Sequence, residues 1–76
     1  MKLSNAKQKL SAKDTVLFDV MPNPNDLSEW IVWIRELSGK SHLLVAEDES
    51  IVGSKDANEI LSLLKGLGVK SVHVSL

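Results

Sequence analysis

The chain has 76 residues, no cysteine, 43% hydrophobic and 25% charged side chains, and a net charge of −1. That composition excludes wholesale disorder, a disulfide framework and a thiolate metal site. A domain of this length buries only ~60% of the surface its unfolded chain exposes, so a deep reaction chamber is not expected and work done at the outer surface is.

Charge is unevenly distributed. Lys2, Lys7, Lys9 and Lys13 are the only charged side chains among residues 1–13, whereas the remainder sets five basic against ten acidic side chains, net −5. The domain reading is a basic N-terminal arm over 1–13, helical if Leu3, Ala6 and Leu10 act as one face, and a single α/β domain over 14–76. The arm can be drawn to the acidic body or to nucleic acid, and lysines without interleaved aromatics would bind phosphates without sequence preference. No apolar run approaches the ~18 residues that cross a bilayer, and the first residues lack the apolar core of a secretion signal. A cytoplasmic protein with no membrane partner is therefore expected.

Thr15 to Val20, TVLFDV, is rich in β-branched and aromatic residues and reads as a strand closed by Pro22 and Pro24. Leu27, Trp30, Ile31, Ile34 and Leu37 then recur at helical spacing, with Asp26 and Glu29 as a capping box and Gly39 at the left-handed position after the last turn. The spacing predicts a helix with Trp33 on its flank and Val32 nearly opposite the stripe. His42 to Glu47, HLLVAE, is apolar without alternation and reads as a central strand covered on both faces. A polar turn follows, in which Ile51 and Val52 suggest an edge strand.

Asp56 and Glu59 form a second capping box, and Ala57, Ile60, Leu61, Leu64 and Leu67 a second helical stripe that ends at Gly66 and Gly68. In the last strand Val72, Val74 and Leu76 alternate with Ser71, His73 and Ser75, so one face is buried and the other polar. The two helical segments match at an offset of thirty residues, which convergence of two capped amphipathic helices explains better than a repeat. From His42 to Leu76 the strand, acidic turn, helix, Gly-X-Gly and strand resemble the periplasmic domain of the TolR/ExbD family. This covers less than half of the chain and is generic to βαβ units, and no family membership or residue role is carried over.

Alternation of strands with helices predicts an α/β fold: a small three-stranded, mainly parallel βαβαβ sheet with two amphipathic helices and the basic arm or helix. With both helices on one face, the polar side of the last strand falls on the other, beside Asp19 and Thr15. The arm then either covers that face or leaves it for a partner.

In a parallel sheet, ligand-binding loops lie beyond the carboxyl ends of the strands. Here those loops would carry Asp19, Asn23, Asn25, Asp26, Glu47, Asp48 and Glu49, oxygen ligands suited to magnesium, although Asn, Asp and Pro are also ordinary turn formers. No phosphate-loop or nucleophile-elbow pattern is present, and His42 and His73 with nearby serines lack a nucleophile's context. No cofactor, metal or catalytic residue is expected.

The leading expectation is a non-enzymatic protein-protein interaction module, as a single chain or as a homodimer, binding through Val32 and Trp33 on the first helix or Ser71, His73 and Ser75 on the polar sheet face. Trp33 either anchors a partner or fills the helix-sheet boundary. The alternatives are a nucleic-acid accessory protein using Lys2, Lys7, Lys9 and Lys13, and a metal-dependent enzyme using the acidic loops.

Overall fold

The structure is a computed structural model that describes residues 1–12 and 15–76. Its centre is an antiparallel hairpin of β1 (Val16–Asn23) and β2 (Asp26–Glu36), with Val16 opposite Glu36 and Pro22 opposite Trp30. Pro24 and Asn25 make the turn, where Pro24 restricts the backbone and the Asn23 side chain accepts a hydrogen bond from the Asn25 amide at 2.9 Å. The register slips beside the turn so that Asn23 faces Asp26.

The segment expected to be the first helix is therefore a strand. Trp30 to Ile34 is an unbroken run of aromatic and β-branched residues, the types that suit a pleated surface buried on both sides. The apparent stripe arose because Trp30, Ile31 and Ile34 satisfy helical spacing while belonging to two sheet faces. Leu27 and Leu37, its outer members, are 77% and 80% exposed. Asp26 closes a local turn instead of capping a helix: its carboxylate accepts from the Ser28 amide at 3.1 Å and the Ser28 hydroxyl at 2.6 Å. Gly39, at φ +94°, takes the left-handed position in the turn between β2 and the next strand.

β3 (Ser41–Leu43) pairs antiparallel with β2, and β4 (Gly53–Ser54) pairs antiparallel with the same edge of β2 farther along. Between them Val45 to Ile51 loops out as a small hairpin, closed by an Ala46 amide to Ser50 carbonyl bond of 2.8 Å. The expected central strand over His42–Glu47 is thus an edge. Its outer side is not bare, because the Leu3 amide donates to the Val45 carbonyl and the Val45 amide to the Met1 carbonyl.

Two helices and a last strand complete the chain: α1 (Leu3–Ser11), α2 (Ala57–Leu67) and β5 (His73–Val74), which pairs parallel with β1. The sheet runs β3-β2-β1-β5, with β4 beside β3 along β2. The expected three-stranded parallel βαβαβ sheet is replaced by five mostly antiparallel strands, and only β4-α2-β5 is a parallel crossover. No pair of helices repeats at thirty residues, since the first member is β2.

α2 starts at Asp56, whose carboxylate accepts from the Asn58 amide at 2.9 Å, and ends at Gly68 with φ +103°. Glu59 accepts from the Ser54 hydroxyl at 2.7 Å, and that hydroxyl oxygen accepts from the Asp56 amide at 3.0 Å. The N-terminal capping is therefore a relay through β4.

Both helices lie on one face. Ala6 from α1 and Ile60 and Leu64 from α2 join Phe18, Val20, Val32, Ile34 and Leu44 in a single core cluster. Residues on the same strands with the opposite parity stay out of it.

Ile34→Ala should lower stability by about 2–4 kcal/mol, a large share of what a domain this size has. Leu27→Ala and Leu37→Ala should each stay within about 0.5 kcal/mol of the parent. Urea denaturation of the three variants checks this, and comparable losses at all three positions would support a helical stripe instead.

Candidate functional site: the helix-free sheet face

Because side chains alternate along a strand, the residues between the core positions form a grid on the other face. One row is Leu43, Trp33, Asp19 and His73; the row above is Ser41, Arg35 and Leu17; the row below is Gly53, Ile31 and Met21. Ser71 and Ser75 flank His73 at the same parity and continue the outer rows. Neither helix covers this face.

Ile31 is only 2% exposed although it lies outside the core cluster. Beside it Glu29 folds over Gly53 and accepts a hydrogen bond from the Asn23 amide group at 3.1 Å. A Cβ at Gly53 would meet the Glu29 Cδ at 2.9 Å and the Trp30 carbonyl oxygen at 3.1 Å, so a larger residue there would have to push the Glu29 carboxyl aside.

Asp19 is the one buried charged residue among those described, 7% exposed, and its Oδ2 lies 3.2 Å from Arg35 Nη2. The pairing offsets the desolvation of a carboxylate set amid apolar neighbours. Arg35 is more than half exposed, so its remaining N–H groups point into solvent. Leu17, at 56% exposure, is an apolar side chain presented outward in the middle of the sheet.

The β1–β5 half of the face is hollow. A depression of about 540 Å³ is lined by Leu17, Asp19, Met21, Arg35, Ser71, His73 and Ser75 of this face and also by Val16, Phe18 and Val72 of the opposite parity, so it follows the seam between β1 and the segment that carries β5. Trp33 is not part of that lining and stands on the other half, next to Leu43. No hydrogen bond joins His73 to Asp19, Ser71 or Ser75 among the described residues, so the hollow holds these groups without coupling them as nucleophile and base.

Trp33, Ser71, His73 and Ser75, expected as contact residues, share this face. Val32 does not: it is fully buried in the core beneath the helices, because it has the parity of Phe18 and Ile34. Leu17, Met21, Leu43 and Arg35 also lie on this face, and the sequence reading did not include them. Their signal was the phase of LFDVM, where burying Phe18 and Val20 forces Leu17, Asp19 and Met21 to the other side.

The basic arm is built into the fold. Lys9 Nζ lies 3.1 Å from Glu36 Oε1, the Ser4 amide donates to Glu47 Oε1 at 2.8 Å, and Lys2 bridges to Val45. Glu47 thus sits at the N-terminus of α1, where a carboxylate is favoured. Lys7 is exposed, and Lys13 lies outside the described residues. Nothing in this placement gathers the lysines into one phosphate-binding track.

The acidic residues proposed as metal ligands are also dispersed. Asp26 belongs to a hairpin turn, Asp19 to the helix-free face and Asp48 to the Val45–Ile51 loop, where it accepts from the Ser50 amide and hydroxyl. Hydrogen bonds from Ser28 and Ser50 hold the Asp26 and Asp48 carboxyls below their ordinary range. Among the described residues no three His, Cys, Asp or Glu side chains stand close enough to hold one metal ion. No helix among them is long and apolar enough to cross a membrane.

No protein-family model matches the chain, and no curated protein and no solved structure is significantly similar to it.

Glu36 joins three elements, since it also meets His42 Nε2 at 3.4 Å. Hydrogen bonds from Lys9 and then His42 hold its carboxyl below the ordinary glutamate range. A depressed carboxylate pKa stabilises the fold above the unfolded-state value, and that contribution disappears as pH falls through the folded-state value. Glu36→Gln should therefore be less stable than the parent near neutral pH, and the gap in urea midpoint should close on acidification. A gap that is constant with pH would contradict the assignment.

Proposed function

We propose that the chain is a non-enzymatic protein-interaction module whose working surface is the helix-free sheet face. The observation that carries this reading is an exposed Leu17 beside half-buried Met21, Trp33 and Leu43 on a face that neither helix covers. A contiguous apolar patch rimmed by polar groups is characteristic of a docking surface, and tryptophan and arginine are the side chains most often found at its energetic centre. Here Trp33 and Arg35 are next-but-one neighbours on β2. Ser41, Ser71, His73 and Ser75 form the polar rim.

The same arrangement explains how a small domain gains by binding. One sheet face is packed and one is not, so the protein has buried only part of the apolar surface its sequence carries. A partner that covers Leu17, Met21 and Trp33 removes it from water. The exposed Arg35 guanidinium adds a requirement for charge match, because a partner that covers it without offering acceptors to its remaining N–H groups is penalised.

The test is affinity capture from an extract of the source cells with immobilised parent, Trp33→Asp and Leu63→Asp proteins. Leu63 is an exposed α2 residue on the far side of the sheet and serves as the control. A protein retained by the parent and by Leu63→Asp but lost from Trp33→Asp is expected. Equal capture by all three would contradict the reading.

A further inference from the structure

We infer that α1 is a detachable strap: it leaves the sheet as one unit while the β1–β2 hairpin and α2 stay folded, and its departure uncovers the Val45 backbone at the sheet edge.

The core supplies the first argument. Ala6 is the one buried side chain of α1, and the rest of the core cluster comes from the hairpin, Leu44 and α2. Met1, Leu3 and Leu10 pack at the margin of that cluster and stay partly exposed. Stabilisation grows with the apolar area taken out of water, so one methyl group and three half-covered side chains hold less firmly than the contact between hairpin and α2, which includes Ile60 and Leu64.

The ties that supplement this packing are polar and wet. The bond from the Ser4 amide to Glu47 Oε1 is exposed, and the side chains of the Lys9–Glu36 pair are 34% and 23% exposed, a setting in which an ion pair contributes little. The Leu3 amide to Val45 carbonyl bond of 3.0 Å, the Val45 amide to Met1 carbonyl bond of 2.9 Å and the Met1 amino group to Leu43 carbonyl bond of 2.7 Å each replace a bond to water when formed.

The helix itself has little to sustain it alone. It has nine residues, and Lys2 at its N-cap offers no side-chain hydrogen bond, whereas α2 has Asp56 in that place. A helix so short is unstable in water without a surface to lie on. Undocking and melting are therefore one event, and all of α1 is lost together.

Opening has a structural consequence at the edge beyond β3. It releases the Val45 amide and carbonyl, which the first residues otherwise engage, and an edge with free backbone groups can accept another extended chain. In the closed form α1 and the residues before it occupy that position within the same chain.

Native-state amide hydrogen exchange of the full chain, followed by nuclear magnetic resonance, tests the inference. The amides of Lys7 to Leu10 should share one protection factor, about tenfold or more below those of Asp19 and Trp33 at the centre of the hairpin. Asp56→Ala, which removes the cap of α2, should lower the hairpin values about fivefold and leave those of α1 unchanged, since α2 is intact in the open form. Glu36→Gln combined with Glu47→Gln should lower the α1 values about fivefold. In the parent protein, urea should accelerate exchange from α1 less steeply than exchange from the hairpin, because opening the strap exposes less surface than unfolding the domain. Protection of α1 equal to that of the hairpin, a fall at α1 matching the hairpin's in Asp56→Ala, or an equal urea dependence would show that α1 opens only when the whole domain unfolds and would overturn the inference. Values scattered more than about tenfold across Lys7 to Leu10 would show fraying in place of release and overturn it as well.

Discussion

The pleat of the β1–β2 hairpin sends Phe18, Val20, Val32 and Ile34 to one side and Leu17, Asp19, Met21, Trp33 and Arg35 to the other, and every other feature of the molecule follows from that separation. The first set is apolar throughout and draws both helices over it. The second set is mixed, with the buried Asp19 carboxylate paired to the exposed Arg35 among apolar side chains, and neither helix packs on it. A slip of one residue in the hairpin register would exchange the two sets, so the turn at Asn23–Asp26 and the Asn23–Glu29 hydrogen bond have a consequence far larger than their own energy.

The position of α1 decides which face remains free. Its N-terminus is held by Glu47 and its other end by the Lys9–Glu36 pair, both belonging to the edge where β3 and its outward loop lie. Ala6 completes the anchoring by entering the core, where its small side chain lets the helix approach the sheet closely. Of the basic residues of this segment, Lys9 is thereby paired within the chain, with Glu36. The edge beyond β3 is shielded by the backbone of the first residues, the Leu3 amide donating to the Val45 carbonyl and the Val45 amide to the Met1 carbonyl, so those groups are not offered to another strand.

How much of this was legible in the sequence depends on the element. α2 was readable because its cap, its apolar period and its terminal glycine all agree, and Asp56, Ile60, Leu64 and Gly68 play those parts. β5 was legible only in part: His73 lies beside Asp19 as the alternation implied, but the strand spans only His73–Val74, and Val74 and Leu76, read as its buried face, are exposed. β2 was not legible. Its alternation is lost because Ile31 and Trp33 on the helix-free side are as apolar as Val32 and Ile34 in the core, and the aromatic and β-branched residues of Trp30–Ile34 happened to meet the spacing of a helix with a capping signature at Asp26 and Glu29. Pro24 and Asn25 between two apolar runs were the discriminating signal, since two turn residues join antiparallel strands directly. Once β2 is a strand, the parallel sheet, the strand-end metal loops and the exposure of Val32 fall together, while Trp33 stays on the surface for a different reason. The hollow itself was invisible, because it depends on how far apart β1 and β5 side chains stand.

The claim that most needs an independent check is the division of the sheet into a covered and an uncovered face. Nuclear Overhauser contacts within one molecule, collected with isotope filtering, report it directly. The account predicts contacts from the Val32 and Ile34 methyl groups to Ala6, Ile60 and Leu64, and none from the Trp33 indole or the Met21 methyl to either helix. Intramolecular contacts from Trp33 to α1 or α2 would contradict it.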